Sequence, residues 1–200
     1  MIRIFKNLLI SFTFFFLIIK PCYSIDESDA IKYIENVGQK AINILKTPID
    51  NLAKRELLFE QMLNNNFDKK LIHRAVLGKA SRGASKEQLL RFGEAFDKHI
   101  VKVYASQLGV YSNQLFIIDK AYKKGKKDTI VSSHIEHETA PPLRIDWRLR
   151  DRGEGTKIID IAIEGVSLLA TKRADFGASI KKGGLHALII DLETKNAQNK

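Results

Sequence analysis

Hydrophobic residues recur at helical spacing in the segment that follows residue 24. Apolar positions three and four residues apart run from Ile31 to Leu45, which is the pattern of a helix with one buried face. Ser28 and Asp29 precede this stripe as candidate caps. Thr47-Pro48 follows it, and the residue before a proline disfavours helical backbone. The pattern therefore predicts a first helix that ends at this proline.

Three more helices are predicted in the same half of the chain. Asp50 can cap the second, and Asp68 and Gly78 bracket a short third one. The range Ser85–Gln88 is a capping box, in which each terminal side chain bonds the other residue's backbone amide. The fourth helix starts there and runs toward Gly109 with an apolar stripe on one side.

The period of the pattern then changes from helix to strand. Gln114–Tyr122 and Thr129–Glu138 are β-like runs, and the lysine-rich turn 123–128 joins them. In Leu143–Arg150, apolar and charged residues alternate strictly, as in a half-buried antiparallel strand. Lys157–Ile163 is a fourth strand with isoleucines at every second position. These runs predict a four-stranded antiparallel sheet.

Helical spacing returns after Gly165. One helix is predicted from Val166 to about Lys182, and Gly183-Gly184 separates it from a final helix that begins near Leu185. Helices followed by an antiparallel meander indicate an α+β fold, with helices clasping the four-stranded sheet.

The first 24 residues are predicted to be a secretory signal peptide. Arg3 and Lys6 form its positive start, Leu8–Ile19 is its apolar core, and small residues precede a cleavage site after Ser24. An uncleaved anchor helix and a lipoprotein modified at Cys22 are the alternatives; the apolar run is short for a bilayer span, which needs about 20 residues. The mature chain, residues 25–200, is expected to be one domain.

Composition excludes several classes of protein. The chain has 200 residues, 44% of them hydrophobic, with one cysteine and a formal charge of +10. It is too apolar for a disordered chain, has too few apolar runs for a multispanning membrane protein, and has too few cysteines for a disulfide-stapled scaffold. The signal peptide contains the cysteine, so the mature chain is neither a thiol enzyme nor a thiolate metal site. A cysteine-free exported protein suits an oxidising compartment such as the periplasm.

Few residues of the sequence are suited to catalysis. His134-Ile135-Glu136-His137 contains two histidines, but on a strand their side chains point to opposite faces, so no metal site is predicted. There is no glycine-rich phosphate loop after a strand and no nucleophile elbow. An enzyme using Asp160 or His134 as its base stays open as an alternative, although Asp160, between isoleucines, is a better structural acceptor.

Basic residues are spread along the chain and are densest at the predicted hairpin tip Lys123–Lys127. A solvated tip is the simplest interpretation, and nucleic-acid binding would also want aromatic residues beside the basic groups. A non-enzymatic adhesion or scaffold module that uses this tip is a further alternative. Arg144 and Arg148 share the polar face of the third strand and are candidates for docking a partner.

Several segments together resemble the MlaC-type (toluene-tolerance) family of periplasmic phospholipid carriers. The matching segments are Ala75–Gly78, Ala84–Gln88 with Phe92, Phe96 and Tyr104, Pro141–Trp147, Asp160–Leu168, and Arg173, Phe176 and Gly183–Leu185. The order and spacing of these segments carry the resemblance, which covers nearly the whole mature chain. Ser81-Arg82 departs from it, because such proteins often have aromatic residues there.

The resemblance implies a strongly twisted sheet clasped by helices around an apolar cavity that holds acyl chains. It implies a non-enzymatic shuttle, without cofactor or metal, that carries phospholipid between the outer and inner membranes and maintains outer-membrane lipid asymmetry. The partners implied are an outer-membrane lipoprotein complex and the substrate-capturing subunit of an inner-membrane ABC transporter.

The residues expected to contact lipid come from the apolar faces of the predicted elements. Taken alone, each is an ordinary core position, and the resemblance is what assigns some of them to ligand contact. They are Phe96, Ile100, Tyr104, Phe116, Ile118, Val131, Trp147, Leu149, Ile159, Ile161, Ile163, Val166 and Leu169.

Overall fold

The structure is a computed structural model that describes residues 24–48, 50–107, 114–136, 140–153 and 155–198. All of the predicted signal peptide except Ser24 lies outside the described residues. The helices are α1 (Glu27–Leu45), α2 (Leu52–Asn66), α3 (Lys69–Leu77), α4 (Lys86–Gln107) and α5 (Leu168–Gln198), with a 3₁₀ turn at Gly78–Arg82. The strands are β1 (Leu115–Lys124), β2 (Asp128–Glu136), β3 (Leu143–Asp151), β4 (Thr156–Ile163) and β5 (Val166–Ser167).

The α+β class is confirmed, and the sheet is an antiparallel meander in the order β1-β2-β3-β4-β5. The prediction of four strands was wrong by one, because Val166 and Ser167 pair with the end of β4 instead of starting a helix. Glu164 and Gly165 make the tight turn with positive φ angles of 49° and 80°. The helix starts two residues later than predicted, at Leu168.

Side chains cap the helices, though not always the ones expected. Asp26 caps α1 by accepting from the Ser28 amide at 3.0 Å, so neither Ser28 nor Asp29 is its cap. Asn51, not Asp50, caps α2. The capping box at Ser85–Gln88 is confirmed by reciprocal hydrogen bonds of 3.0 and 3.1 Å.

Helix α5 is interrupted at the predicted glycine pair. Gly184 has φ 79° and ψ 172° within an otherwise helical run. Glycine adopts this backbone conformation with little steric penalty. The non-helical residue divides the helix into two segments. None of the described helices is long and apolar enough to cross a membrane.

Among the residues that the structure describes, three buried clusters hold the helices and the sheet together. Helix α1 packs on the inner face of the sheet through Ala30, Ile34 and Val37. Helices α3, α4 and α5 form a second cluster around Phe92 and Phe176, and α1, α2 and α4 meet in a third. The helices therefore form a wall opposite the sheet.

A close approach between α1 and β1 gives a first prediction. A Cβ at Gly38 would overlap the ring of Phe116. Gly38→Ala is therefore expected to lower the free energy of unfolding by about 1–3 kcal/mol through overpacking, although alanine is the better helix former. Urea denaturation checks this. At Gly177 on α5 nothing lies within 4 Å, so Gly177→Ala should be neutral or stabilising; equal effects at both sites would contradict the prediction.

Candidate functional site

An apolar cavity of about 550 Å³ lies between the inner face of the sheet and the helices. Its volume is within the roughly 300–1,000 Å³ of small-molecule sites. The helical wall comes from α1 to α5, and the opposite wall comes from β1 to β4. Its apolar lining residues include Ala41, Ile42, Leu45, Phe59, Met62, Leu63, Phe67, Ile72, Val76, Phe96, Ile100, Phe116, Ile135, Leu143, Ile145, Trp147, Ile159, Ile161, Ile163, Leu168 and Leu169.

Irregularities in the strands help to shape this cavity. In β1 the register shifts between Ile118 and Lys120, and in β4 it shifts so that Ile159 has no partner on β3. Such bulges bend a strand and increase its local twist. The curved sheet contacts α1 directly, and α4 and α5 form a separate cluster with α3, so the two layers do not close on each other.

Nine of the thirteen residues predicted to contact lipid lie on the cavity wall. They are Phe96, Ile100, Tyr104, Phe116, Trp147, Ile159, Ile161, Ile163 and Leu169. The fold brings them together from two helices and three strands. This is where the structure places them; their contact with a ligand stays a prediction.

The other four predicted residues lie elsewhere. Val131 and Leu149 are fully buried in the cluster under α1, and Ile118 packs against that cluster. They share the inner face of the sheet with the cavity residues, but α1 covers that part of the face. Val166 is 59% exposed on the edge strand β5. Strand alternation identifies a face but does not show which part of it a helix covers.

Much of the cavity wall was absent from the sequence-based prediction. Helices α1, α2 and α3 contribute residues such as Ala41, Met62 and Ile72. Their helical stripes were visible in the sequence as apolar faces. Nothing in the spacing shows whether a stripe meets another helix or a cavity, and this information comes only from packing.

Three polar groups on the helical side of the cavity wall contact one another. Asp97 of α4 accepts from Nε2 of His73 at 2.7 Å and from Nζ of Lys69 at 2.8 Å. The His73 ring stands edge-on to Phe96, with centroids 5.6 Å apart. Burial raises the pKa of the Tyr104 phenol, so that group stays neutral. The wall therefore offers a mostly apolar surface on which Asp97 is paired with His73 and Lys69, and Lys172 also lines it.

The two residues considered as catalytic bases make structural contacts. Asp160 accepts from the hydroxyl of Ser167 at 2.6 Å and from the amide of Leu169 at 3.1 Å, and so it caps the start of α5. Nδ1 of His134 lies 2.7 Å from Oδ1 of Asp119 on the outer face of the sheet. Among the described residues, no group of three or more metal-binding side chains occurs.

The arginines considered for partner docking are paired on the outer face of the sheet. Arg144 contacts Asp146 at 2.9 Å. Arg148 and Arg150 both donate to Asp128, at 2.7 and 2.6 Å from their Nε atoms. The docking role of Arg144 and Arg148 stays a prediction, and a partner would have to compete with these acids.

Asp128 gives a prediction for pH dependence. Its burial acts to raise its pKa, but hydrogen bonds from Arg150 and Arg148 outweigh burial and lower the pKa below the usual value. A lowered pKa adds stability that is present above the unfolded pKa of about 3.9 and is lost as pH falls through the folded pKa. Asp128→Asn is expected to cost about 1–3 kcal/mol at pH 7, since the arginines keep partial solvent contact.

Urea denaturation of the wild type and of Asp128→Asn, at pH 7 and at pH 3, checks this. The difference between the two proteins should shrink at pH 3. The control is Asp29→Asn, whose ion pair with Lys32 is exposed, with an expected change within about 0.5 kcal/mol. A difference that stays constant or grows at low pH would contradict the assignment to Asp128.

Comparison with known proteins places these features in a family. A family model described as MlaC protein matches residues 35–194. The toluene tolerance protein Ttg2D of Pseudomonas putida is 24% identical over 106 residues, covering 53% of this chain and 49% of that protein. The intermembrane phospholipid transport system binding protein MlaC of Haemophilus influenzae is 27% identical over 127 residues, covering 62% of this chain and 59% of that protein. The matches thus span about half the length of these curated relatives.

A solved structure has the same fold. It is the phospholipid-binding protein from Ralstonia solanacearum in complex with a phospholipid, with a TM-score of 0.72 and 22% sequence identity. The alignment covers 84% of this chain and 97% of that one.

Proposed function

Because the chain belongs to the MlaC family, we propose that it is a phospholipid-binding transport protein that holds acyl chains in the apolar cavity. The observation that carries the proposal is the cavity itself, about 550 Å³ with an almost wholly apolar wall. Protein interiors are close-packed, with few voids larger than a water molecule. An apolar space of this size, kept between a sheet and five helices, is suited to a hydrocarbon ligand.

The chemistry of transport requires such a space and no catalytic group. Each methylene exposed to water costs about 0.8 kcal/mol, so two long acyl chains cost tens of kcal/mol in water. A carrier replaces the bilayer with a comparable apolar lining, and exchange is then near thermoneutral. The headgroup can stay in water at the rim of the cavity, which avoids burying a charge. We expect binding that selects for chains and tolerates different headgroups.

The cellular role that we propose follows the family. Residues 1–24 direct export to the periplasm, and residues 25–200 form the carrier domain. The protein shuttles phospholipid between the outer and inner membranes and so maintains outer-membrane lipid asymmetry. Its partners are an outer-membrane lipoprotein complex and the capturing subunit of an inner-membrane ABC transporter. In this proposal the carrier is not an enzyme and uses no cofactor, with phospholipid as its cargo.

Trp147 provides a direct test, because it is the one tryptophan of the chain and lies on the cavity wall. Protein purified from cells expressing the full chain is extracted with organic solvent, and the lipids are identified by mass spectrometry. The delipidated protein is then mixed with vesicles of phospholipid brominated on its acyl chains. Bromine quenches tryptophan only at short range, so loading of the cavity should quench Trp147.

Vesicles of the same lipid without bromine are the control. Folded protein that yields no lipid and shows no bromine-dependent quenching would overturn the proposal. The enzyme alternative has its own test, since it requires a turnover that Asp160→Asn abolishes. The contacts of Asp160 with Ser167 and Leu169 instead support a capping role.

A further inference from the structure

A groove lined by basic side chains lies beside the turns at one end of the sheet. Helix α3, the β1–β2 turn and the β3–β4 hairpin form it, and we call it the basic groove. Its lining consists of Lys70, Leu71, Arg74, Ala75, Lys127, Arg150 and Arg152. Among the described residues that line the groove, none is acidic and five are basic.

Acidic residues that the structure describes pair with two of the five basic side chains of the basic groove. Asp128 pairs with Arg150 at 2.6 Å, and Asp68 pairs with Arg152 at 3.2 Å. The three remaining basic residues of the groove form no ion pair with any residue that the structure describes. Lys70 and Arg74 are four residues apart on α3, a spacing at which like charges repel and destabilise a helix. Clustering these positive charges therefore lowers the stability of the fold, and a bound anionic ligand would relieve their repulsion.

The basic groove is far from the exposed part of the cavity wall. Ala140, Pro141 and Leu143 are the exposed lining residues, and Leu143 begins β3. Arg150 is seven residues further along the same strand, which corresponds to about 23 Å at roughly 3.3 Å per residue. An occupant of the groove thus leaves that part of the cavity wall accessible.

We propose that the basic groove binds an acidic segment of a partner protein. Arg74 presents a planar, forked donor that matches carboxylates, Lys70 and Lys127 add positive charge, and Leu71 and Ala75 supply a small apolar contact. A concave site of this kind suits a peptide segment that is narrow enough to lie in the groove. A flat anionic membrane would instead contact the exposed lysines of the hairpin tip. Binding in that orientation would keep the exposed part of the cavity wall away from the bilayer.

The probe is a fluorescein-labelled peptide of ten glutamates, and a peptide of ten glutamines is its control. Binding to protein purified from the expressed full chain is followed by fluorescence anisotropy at low and high ionic strength. The test variant is Lys70→Glu with Arg74→Glu. The matched control is Lys123→Glu with Lys124→Glu, which makes the same charge change at exposed residues of β1 outside the groove.

The groove variant is expected to weaken peptide binding at least tenfold, and the control variant less than threefold. Wild-type binding should weaken as ionic strength rises.

Equal losses in the two variants would overturn the proposal, because net charge alone would then explain the attraction. Sedimentation with phosphatidylglycerol vesicles tests whether the groove binds an anionic membrane instead of an acidic peptide. If the groove variant loses vesicle binding but keeps peptide binding, the site is a membrane contact and the proposal is wrong. Lipid loading of both variants should match the wild type, so this test is independent of the proposed transport.

Discussion

Ile161→Glu is expected to reduce the phospholipid recovered per protein at least tenfold while the protein still folds. Ile161 is half-buried, lines the cavity and pairs across the sheet with Trp147. A carboxylate there keeps enough solvent contact to be tolerated in the lipid-free protein. Bound acyl chains would remove that solvent, and burying a charge against hydrocarbon costs several kcal/mol. Each 1.4 kcal/mol is about a tenfold loss of affinity.

The measurement is the molar ratio of lipid to protein after solvent extraction, with circular dichroism as the check of folding. Ile117→Glu is the matched control, since Ile117 is also half-buried but lies on the opposite face of β1, away from the cavity. Ile161→Leu should keep normal loading. Normal loading of Ile161→Glu would remove the sheet wall from the site, and equal losses in Ile161→Glu and Ile117→Glu would point to general damage.

Trp147→Ala is expected to have the largest effect on stability, a loss of about 3–5 kcal/mol in the free energy of unfolding. Trp147 is 8% exposed, its Nε1 donates to Oγ of Ser133 at 2.9 Å, and its ring stands edge-on to Phe116. Truncation removes a large buried aromatic surface and leaves α1 resting on a widened cavity. Since a typical domain has only about 5–15 kcal/mol of stability, this loss is a large share of it.

Urea denaturation followed by circular dichroism measures the effect, because the variant lacks the fluorescent residue. Both proteins must be delipidated first, since a bound ligand adds its own stabilisation. Leu143→Ala is the control: Leu143 also lines the cavity but is 40% exposed, and its truncation should cost less than about 1 kcal/mol. If the two truncations cost the same, Trp147 is not part of the packed core.

The sequence predicted most of the secondary structure because local rules control it. The capping box at Ser85–Gln88, the cap at Asp68 and the break at Gly183-Gly184 depend on residues close together in the chain. Errors occurred where a distant contact decides the outcome. Val166 has helical spacing with the residues that follow it, yet pairing with Ile163 places it in a strand.

The candidate site was less predictable than the fold. Alternation along β3 gave the correct inner face, but α1 covers Leu149 whereas Trp147, two residues earlier, reaches the cavity. The bulge at Ile159 also has no sequence signal of its own. The helical wall from α1, α2 and α3 depends on how three stripes are oriented, and spacing leaves that orientation open.

By itself, the sequence determined the α+β class, the helical first half, the antiparallel strands and the resemblance to a carrier family. These features depend on the period of apolar residues and on short-range hydrogen bonds. Only the tertiary structure decided that the apolar faces of sheet and helices stay apart around a cavity, and that five basic side chains from separate elements converge on one groove. The physical reason is that a hydrophobic face has no intrinsic partner: whether it packs on another element or lines a cavity depends on the curvature of the sheet and the placement of the helices.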